Sequence, residues 1–167
     1  DSDITTTVLG ILLCVGILTA FSVHRRHMRS TWQRGMQAYQ HNDLKEVLKA
    51  FSYIVKKQPG SADARRMYAR ALTATGALEQ AEKELNFALQ LEPRNPDVRI
   101  DMAVFLTHTS PRRDEEAVAM LEEAVDLKPE LRMSIATLKQ FEDLRRNARF
   151  CVLAGLPEPV ITSARLN

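Results

Sequence analysis

Residues 68–93 read YARALTATGALEQAEKELNFALQLEP: two amphipathic stretches about Gly76-Ala77, closed by Pro93. In the second stretch Ala81, Leu85, Ala88 and Leu89 fall at i, i+4, i+7 and i+8, one face of a helix. Ala69 in the first stretch, and Ala81 and Ala88 in the second, are small enough to let two helix backbones approach closely. Proline ends the pair because it has no N–H to continue the ladder and disfavours helical geometry in the residue before it. The segment predicts a helix–turn–helix unit.

The unit recurs on both sides. Pro59, Pro93 and Pro129 are 34 and 36 residues apart, and the same steps separate Val47, Ala81 and Ala117; Phe51, Leu85 and Leu121; and Ile54, Ala88 and Ala124. A second set, Gly35, Ala69 and Ala103 with Ala38, Leu72 and Leu106, keeps steps of 34 and 34. The third copy therefore gains two residues between those sets. Ser110-Pro111-Arg112-Arg113, a turn by composition, is the place for them. Beyond Pro129, Leu131, Ile135, Leu138, Phe141 and Leu144 follow helical spacing and predict one capping helix over 130–150, the terminal element a repeat stack needs. Pro157 and Pro159 predict no helix past Gly155, leaving 151–167 as a loose tail in which Val160 and Ile161 are docking candidates.

The N-terminal side reads differently. Residues 4–23, ITTTVLGILLCVGILTAFSV, carry no charge, and eleven of the twenty are Ile, Leu, Val or Phe. As a helix they extend about 30 Å, the hydrocarbon thickness of a bilayer. Arg25, Arg26 and Arg29 follow at once, whereas the preceding side has only Asp1 and Asp3. The positive-inside bias predicts a single-pass anchor at 4–24, a basic juxtamembrane segment at 25–30, and everything beyond it in the cytoplasm. A bacterial inner membrane is the first expectation and an organelle membrane the second, with residues 1–3 as a tail on the far side. The basic flank also faces membrane lipid, as a routine anchor flank at anionic headgroups and not as a lipid-specific site.

Composition removes most other classes. Two cysteines, Cys14 and Cys151, make no disulfide framework, and no C-x-x-C pair is present for zinc. All 23 Lys and Arg lie after residue 24, against all the acids but Asp1 and Asp3, and setting aside Arg25, Arg26, Arg29 and Arg34 leaves the remainder neutral. No basic stripe is left for nucleic acid. No P-loop, G-x-G-x-x-G or G-x-S-x-G occurs. His24 and His27 are spaced i, i+3 but have no Cys or carboxylate near them in sequence. No cofactor, metal, small-molecule substrate or catalytic activity is expected.

A 34-residue helix–turn–helix unit with these residues resembles the tetratricopeptide repeat family over about residues 30–129. Gly35, Tyr39, Asn42-Asp43, Phe51 and Pro59 carry the likeness in the first copy, and Ala69, Leu72, Gly76, Ala81, Leu85, Ala88 and Pro93 in the second. In the third copy, EEAVAMLEEAVDLKP is similar to a second repeat helix. The resemblance implies an all-α superhelix of three repeats (31–59, 62–93 and 96–129 within 31–129), with Val47 and Ile54 in place of alanines loosening the first. It implies a concave groove lined by first helices. Its positions fall on Trp32, Met36, Tyr39 and Gln40; on Asp63, Arg66, Arg70 and Thr73; and on Asp97, Ile100, Val104 and His108.

Arg66 and Arg70, at i, i+4, are placed to hold one carboxylate together in a cationic middle of that groove. Members that clamp chaperone tails use a Lys and an Asn where this chain has Trp32 and Met36, so that role is not implied. Trp32 either anchors at the headgroup boundary or packs on the first repeat. The function expected is non-enzymatic: protein–protein interaction, as a scaffold or assembly factor for a membrane complex. The alternatives are a permanent accessory subunit of a large membrane complex (respiratory, photosynthetic or secretion) and an organelle-surface receptor. Partners would be proteins, either a membrane complex or its assembly client.

Overall fold

The structure, a computed structural model, describes residues 2–157, with side chains from residue 12 onward; residue 1 and 158–167, including Val160 and Ile161, lie outside it. Among the described residues every regular element is a helix. The chain divides into two compact units, Asp1–Pro59 and Gly60–Asn167.

The first unit is a hairpin of unequal arms. Helix α1, Ser2–Gln40, runs 39 residues, about 58 Å at 1.5 Å per residue, with no break at the boundaries expected near 24 and 30. Its last turns pack on α2, Leu44–Lys57, which buries Val47, Ala50, Phe51 and Ile54. Each large side chain of that set contributes about 1.5–3 kcal/mol by leaving water. Asn42 turns the chain at φ 56°, where Asn tolerates the left-handed region. The Asp43 N–H then bonds the Ala38 carbonyl at 2.9 Å and the Asn42 N–H that of Tyr39 at 3.1 Å, closing α1 with the paired bonds of a Schellman end. The Asp43 carboxylate accepts the Glu46 N–H at 3.2 Å and so starts α2. Val47 and Ile54, expected to loosen this copy, are both buried, and Ala50 and Phe51 of the same helix face Gly35 of α1. A Cβ added there would lie 2.8 Å from Phe51 Cε2 and 3.0 Å from Ala50 Cβ.

The second unit repeats the hairpin twice. Helices α3, Ala62–Ala74, and α4, Leu78–Leu91, form one pair; α5, Pro96–Thr107, and α6, Asp114–Leu127, form the next, and α4 packs on α5. Gly76, at φ 81°, ends α3 as Asn42 ends α1, with the Ala77 N–H on the Leu72 carbonyl at 2.9 Å. In the third copy the equivalent carbonyl, Leu106, accepts instead from Arg113, seven residues on rather than five, at 3.3 Å. The two extra residues thus sit in the 107–112 turn, and the bond that closes the hairpin is kept. Pro59, Pro93 and Pro129 act alike too. The residues before them, Gln58, Glu92 and Lys128, are pushed out of helical geometry to ψ 71°, 75° and 86°. Ser61 and Asn95 cap the next first helices through side-chain oxygens.

The segment expected as one capping helix over 130–150 is instead a chain of short pieces. Helix α7, Leu131–Thr137, is followed by 3-10 turns at Lys139–Phe141 and Asp143–Arg146, and then by α8, Ala148–Ala154. Leu138 and Asn147 are extended between them, with ψ 121° and 119°. The reason is burial. On one straight helix Phe150 would point about 180° away from Phe141 and about 120° away from Leu144. Folding back at these two points buries Ile135, Phe141, Leu144 and Phe150 together. Asn147 makes the second bend tolerable, its side chain accepting the Phe150 N–H at 3.3 Å. Helix α8 ends at Gly155, φ 66°, as expected, but it takes residues 151–154 out of the expected tail and buries Cys151 and Ala154.

Among the described residues no helix is long and apolar enough to cross a membrane. The span expected at 4–24 begins on residues whose side chains lie outside the described set. The part of the run with described side chains is residues 12–23. All twelve are exposed.

Gly35 gives the fold its first test. Gly35→Val should destabilise the first unit by about 1–3 kcal/mol through overpacking against Phe51, with little helix-propensity gain to offset it. Gly60→Ala, where an added Cβ meets nothing within 4 Å, should leave thermal melting unchanged.

Candidate functional site

The predicted groove positions divide between the two units. On α1, Trp32, Met36 and Tyr39 are spaced i, i+4 and i+7 and are each half-buried, while Gln40 is exposed. Trp32 stands edge-on to Phe51, ring centroids 5.1 Å apart at 87°, so its ring packs on the first repeat. Arg34 Nε reaches Glu46 at 3.1 Å across the same hairpin. His27 is edge-on to Tyr53 at 5.7 Å. Among the described residues no three His, Cys, Asp or Glu gather as a metal ion would require. Arg25, Arg26 and Arg29 are exposed on the helix face beyond the apolar run.

In the second unit the two arginines do share a carboxylate, but it is the chain's own. Arg66 Nη1 lies 3.3 Å from Asp101 Oδ2, and Arg70 Nε 3.5 Å from Asp101 Oδ1. Arg66 also reaches Asp63 at 3.4 Å and Asp97 at 3.9 Å. The cationic middle expected from Arg66 and Arg70 is therefore corrected: two guanidinium groups face three carboxylates there. The expectation missed Asp101 because it placed Ile100 on the groove and skipped its neighbour. The signal was present, since Asp97 and Asp101 repeat the i, i+4 spacing of Arg66 and Arg70.

Asp101 is 6% exposed. Burial raises its pKa from 3.8 to about 6, opposed by the charges of Arg70 and Arg66. The sign follows directly. With the folded-state pKa raised, the protonated carboxyl favours folding fully below about pH 4, and that contribution is lost as pH rises through about 6. At 1.36 kcal/mol per decade the loss is about 3 kcal/mol at most.

Around this cluster, Ile100 and Val104 are half-buried apolar side chains, and Asp63, Asp97 and His108 are exposed. The His108 ring sits 2.8 Å from the Val104 carbonyl and closes α5. Thr73 is buried, its hydroxyl donating to the Ala69 carbonyl at 2.9 Å, which removes it from the groove. The remaining ion pairs tie helices together rather than assembling reactive groups. Arg65 bonds Glu84 at 2.6 Å and lies 4.8 Å over the Phe87 ring, and Arg113 bridges Glu82 and Glu116 at 2.8 and 2.6 Å.

An NMR titration of Asp101 should give a midpoint near 6, and Arg70→Gln should move it higher by removing the charge that holds it down. A midpoint at or below 4 would contradict the burial seen here.

In the second unit the half-buried apolar side chains Ile100 and Val104 stand beside a cluster of two arginines and three carboxylates. No curated protein matches the chain. Residues 38–86, from the last turn of α1 into α4, match the tetratricopeptide repeat family, whose repeats generally serve protein–protein contact rather than catalysis.

Proposed function

We propose that this chain is a non-enzymatic, single-pass membrane protein whose repeats hold a protein partner close to the bilayer, as a scaffold or assembly factor for a membrane complex. The observation that carries the docking part is the set of apolar side chains left half-exposed on first helices: Met36 and Tyr39 on α1, Ile100 and Val104 on α5. Elsewhere on those helices apolar side chains such as Ala38, Val98, Met102 and Phe105 are buried. Positions that a solitary domain would cover, and that a repeat of this family uses for contact, are open.

The anchoring part rests on the N-terminal half of α1. Leu12, Leu13, Ile17, Leu18, Phe21 and Val23 are each more than 60% exposed. They belong to an uncharged twenty-residue run followed by three arginines. Apolar surface of that extent costs about 25 cal/mol per Å² in water, and lipid removes the cost. The basic flank orients the repeats toward the cytoplasm.

In membranes of the cell that makes it, the full chain should stay with the bilayer through alkaline carbonate extraction. It should bring down a defined protein when solubilised in mild detergent. Met36→Glu and Val104→Glu should each weaken that capture at least tenfold, with melting changed by less than about 1 kcal/mol equivalent, as for partly exposed substitutions outside the core. Stoichiometric co-migration would favour the permanent subunit, and substoichiometric association the assembly factor. Capture indifferent to both variants would move the interface off the first helices. Charge reversal at Arg66 and Arg70 is unsuitable for this purpose, because it would strip the buried Asp101 of its counter-ions.

A further inference from the structure

Beside the apolar half of α1 lies a cleft of about 660 Å³ within the first unit. Its walls include Arg25, Arg26 and Arg29, its apolar lining Met28 and Ile54, and its far edge Trp32. The lining contains no carboxylate. The acids of this unit with described side chains are Asp43, which caps α2, and Glu46, which pairs with Arg34 and Lys49. Among the described residues, then, three arginines within five positions have no ion-pair partner, and they line the cleft together with Ser22, Met28, Trp32, Ile54 and Gln58.

We propose that this cleft is a binding site for the headgroup of an anionic phospholipid, its phosphate held by Arg25, Arg26 and Arg29 beside Met28, Ile54 and Trp32. The proposal deepens the anchoring described above and rests on it. Charge complementarity selects an anion, and arginine suits a phosphodiester because its planar fork donates two hydrogen bonds at once. Depth selects a lipid. Arg25 and Arg29 follow Val23 by two and six residues, roughly 3–9 Å along the helix. The headgroup layer is about 5–8 Å thick on each side of the hydrocarbon. If the apolar run fills the hydrocarbon, Arg25, Arg26 and Arg29 lie at the level of the phosphates, and Trp32, about 14 Å beyond Val23, lies outside them.

Trp32 is the chain's sole tryptophan, so its emission reports on this cleft. The full chain is reconstituted into phosphatidylcholine vesicles containing increasing fractions of phosphatidylglycerol; flotation reports anchoring and Trp32 emission reports the headgroup. The chain should float with every composition. Emission should change saturably with phosphatidylglycerol, and Arg25→Gln with Arg29→Gln should raise the fraction needed by on the order of tenfold while flotation persists. Lys45→Gln with Lys49→Gln, which removes equal charge from the other end of α2, should leave the titration in place.

Flotation with emission indifferent to phosphatidylglycerol would overturn the headgroup site and leave the anchor standing. An equal response from both double variants would overturn it as well, reducing it to diffuse charge attraction. Failure to float with any vesicle would overturn anchor and site together. The same emission change produced in detergent by inorganic phosphate or polyglutamate would assign the cleft to a soluble anion or an acidic protein segment instead.

Discussion

Two helices bury their apolar faces against each other only where their backbones come close, and in this chain that closeness depends on small residues in fixed columns. Gly35 admits the Phe51 ring where a Cβ would collide with it. Ala69, Ala81 and Ala88, and then Ala103, Ala117 and Ala124, have no measurable exposure. The first copy uses glycine on one helix to make room for Phe51 on the other, where the later copies have Ala69 and Ala103. Interiors packed to this density leave little room for a methyl group at such contacts, which is why the columns are legible as a period.

Once the pairs are fixed, their ends and their charges follow. The carbonyls of Ala38, Leu72 and Leu106 each receive a backbone N–H from the first residue beyond the turn, across a loop that is two residues longer in the third copy. That bond is what the 34- and 36-residue steps preserve. Between first helices of the second unit the same geometry brings Arg66 and Arg70 against Asp97 and Asp101. A buried carboxylate held this way is a costly group, stabilised by its partners rather than stabilising in itself. It fixes which charges face each other across adjacent repeats, and it leaves Ile100 and Val104 beside it half-buried.

Much of this could be read from residues alone. The turns at Asn42-Asp43 and Gly76-Ala77, the terminating prolines and the insertion near Ser110 are local chemistry, so the chain announces them. The family match at 38–86 takes in Tyr39 to Pro59 of the first copy and Ala69 to Leu85 of the second, and leaves out Gly35, Ala88 and Pro93. The C-terminal segment was misread because its apolar spacing fits a helix locally. Its actual path is decided by where Phe141 and Phe150 find room, a tertiary fact that a stripe on one helix does not encode. Asp101 was overlooked for a related reason: a helical face can be drawn one residue to either side, and only the opposing arginines choose between Ile100 and its neighbour.

The account turns on first helices of a membrane-held repeat array meeting a protein partner, and site-specific photo-crosslinking in intact cells tests that most directly. A crosslinking residue at Met36 or Val104 should yield a covalent adduct with the same protein, recovered from the membrane fraction. The same residue at Asn86, exposed on the second helix α4, should yield none. Adducts formed from Asn86 while Met36 and Val104 stay unreacted would contradict the account.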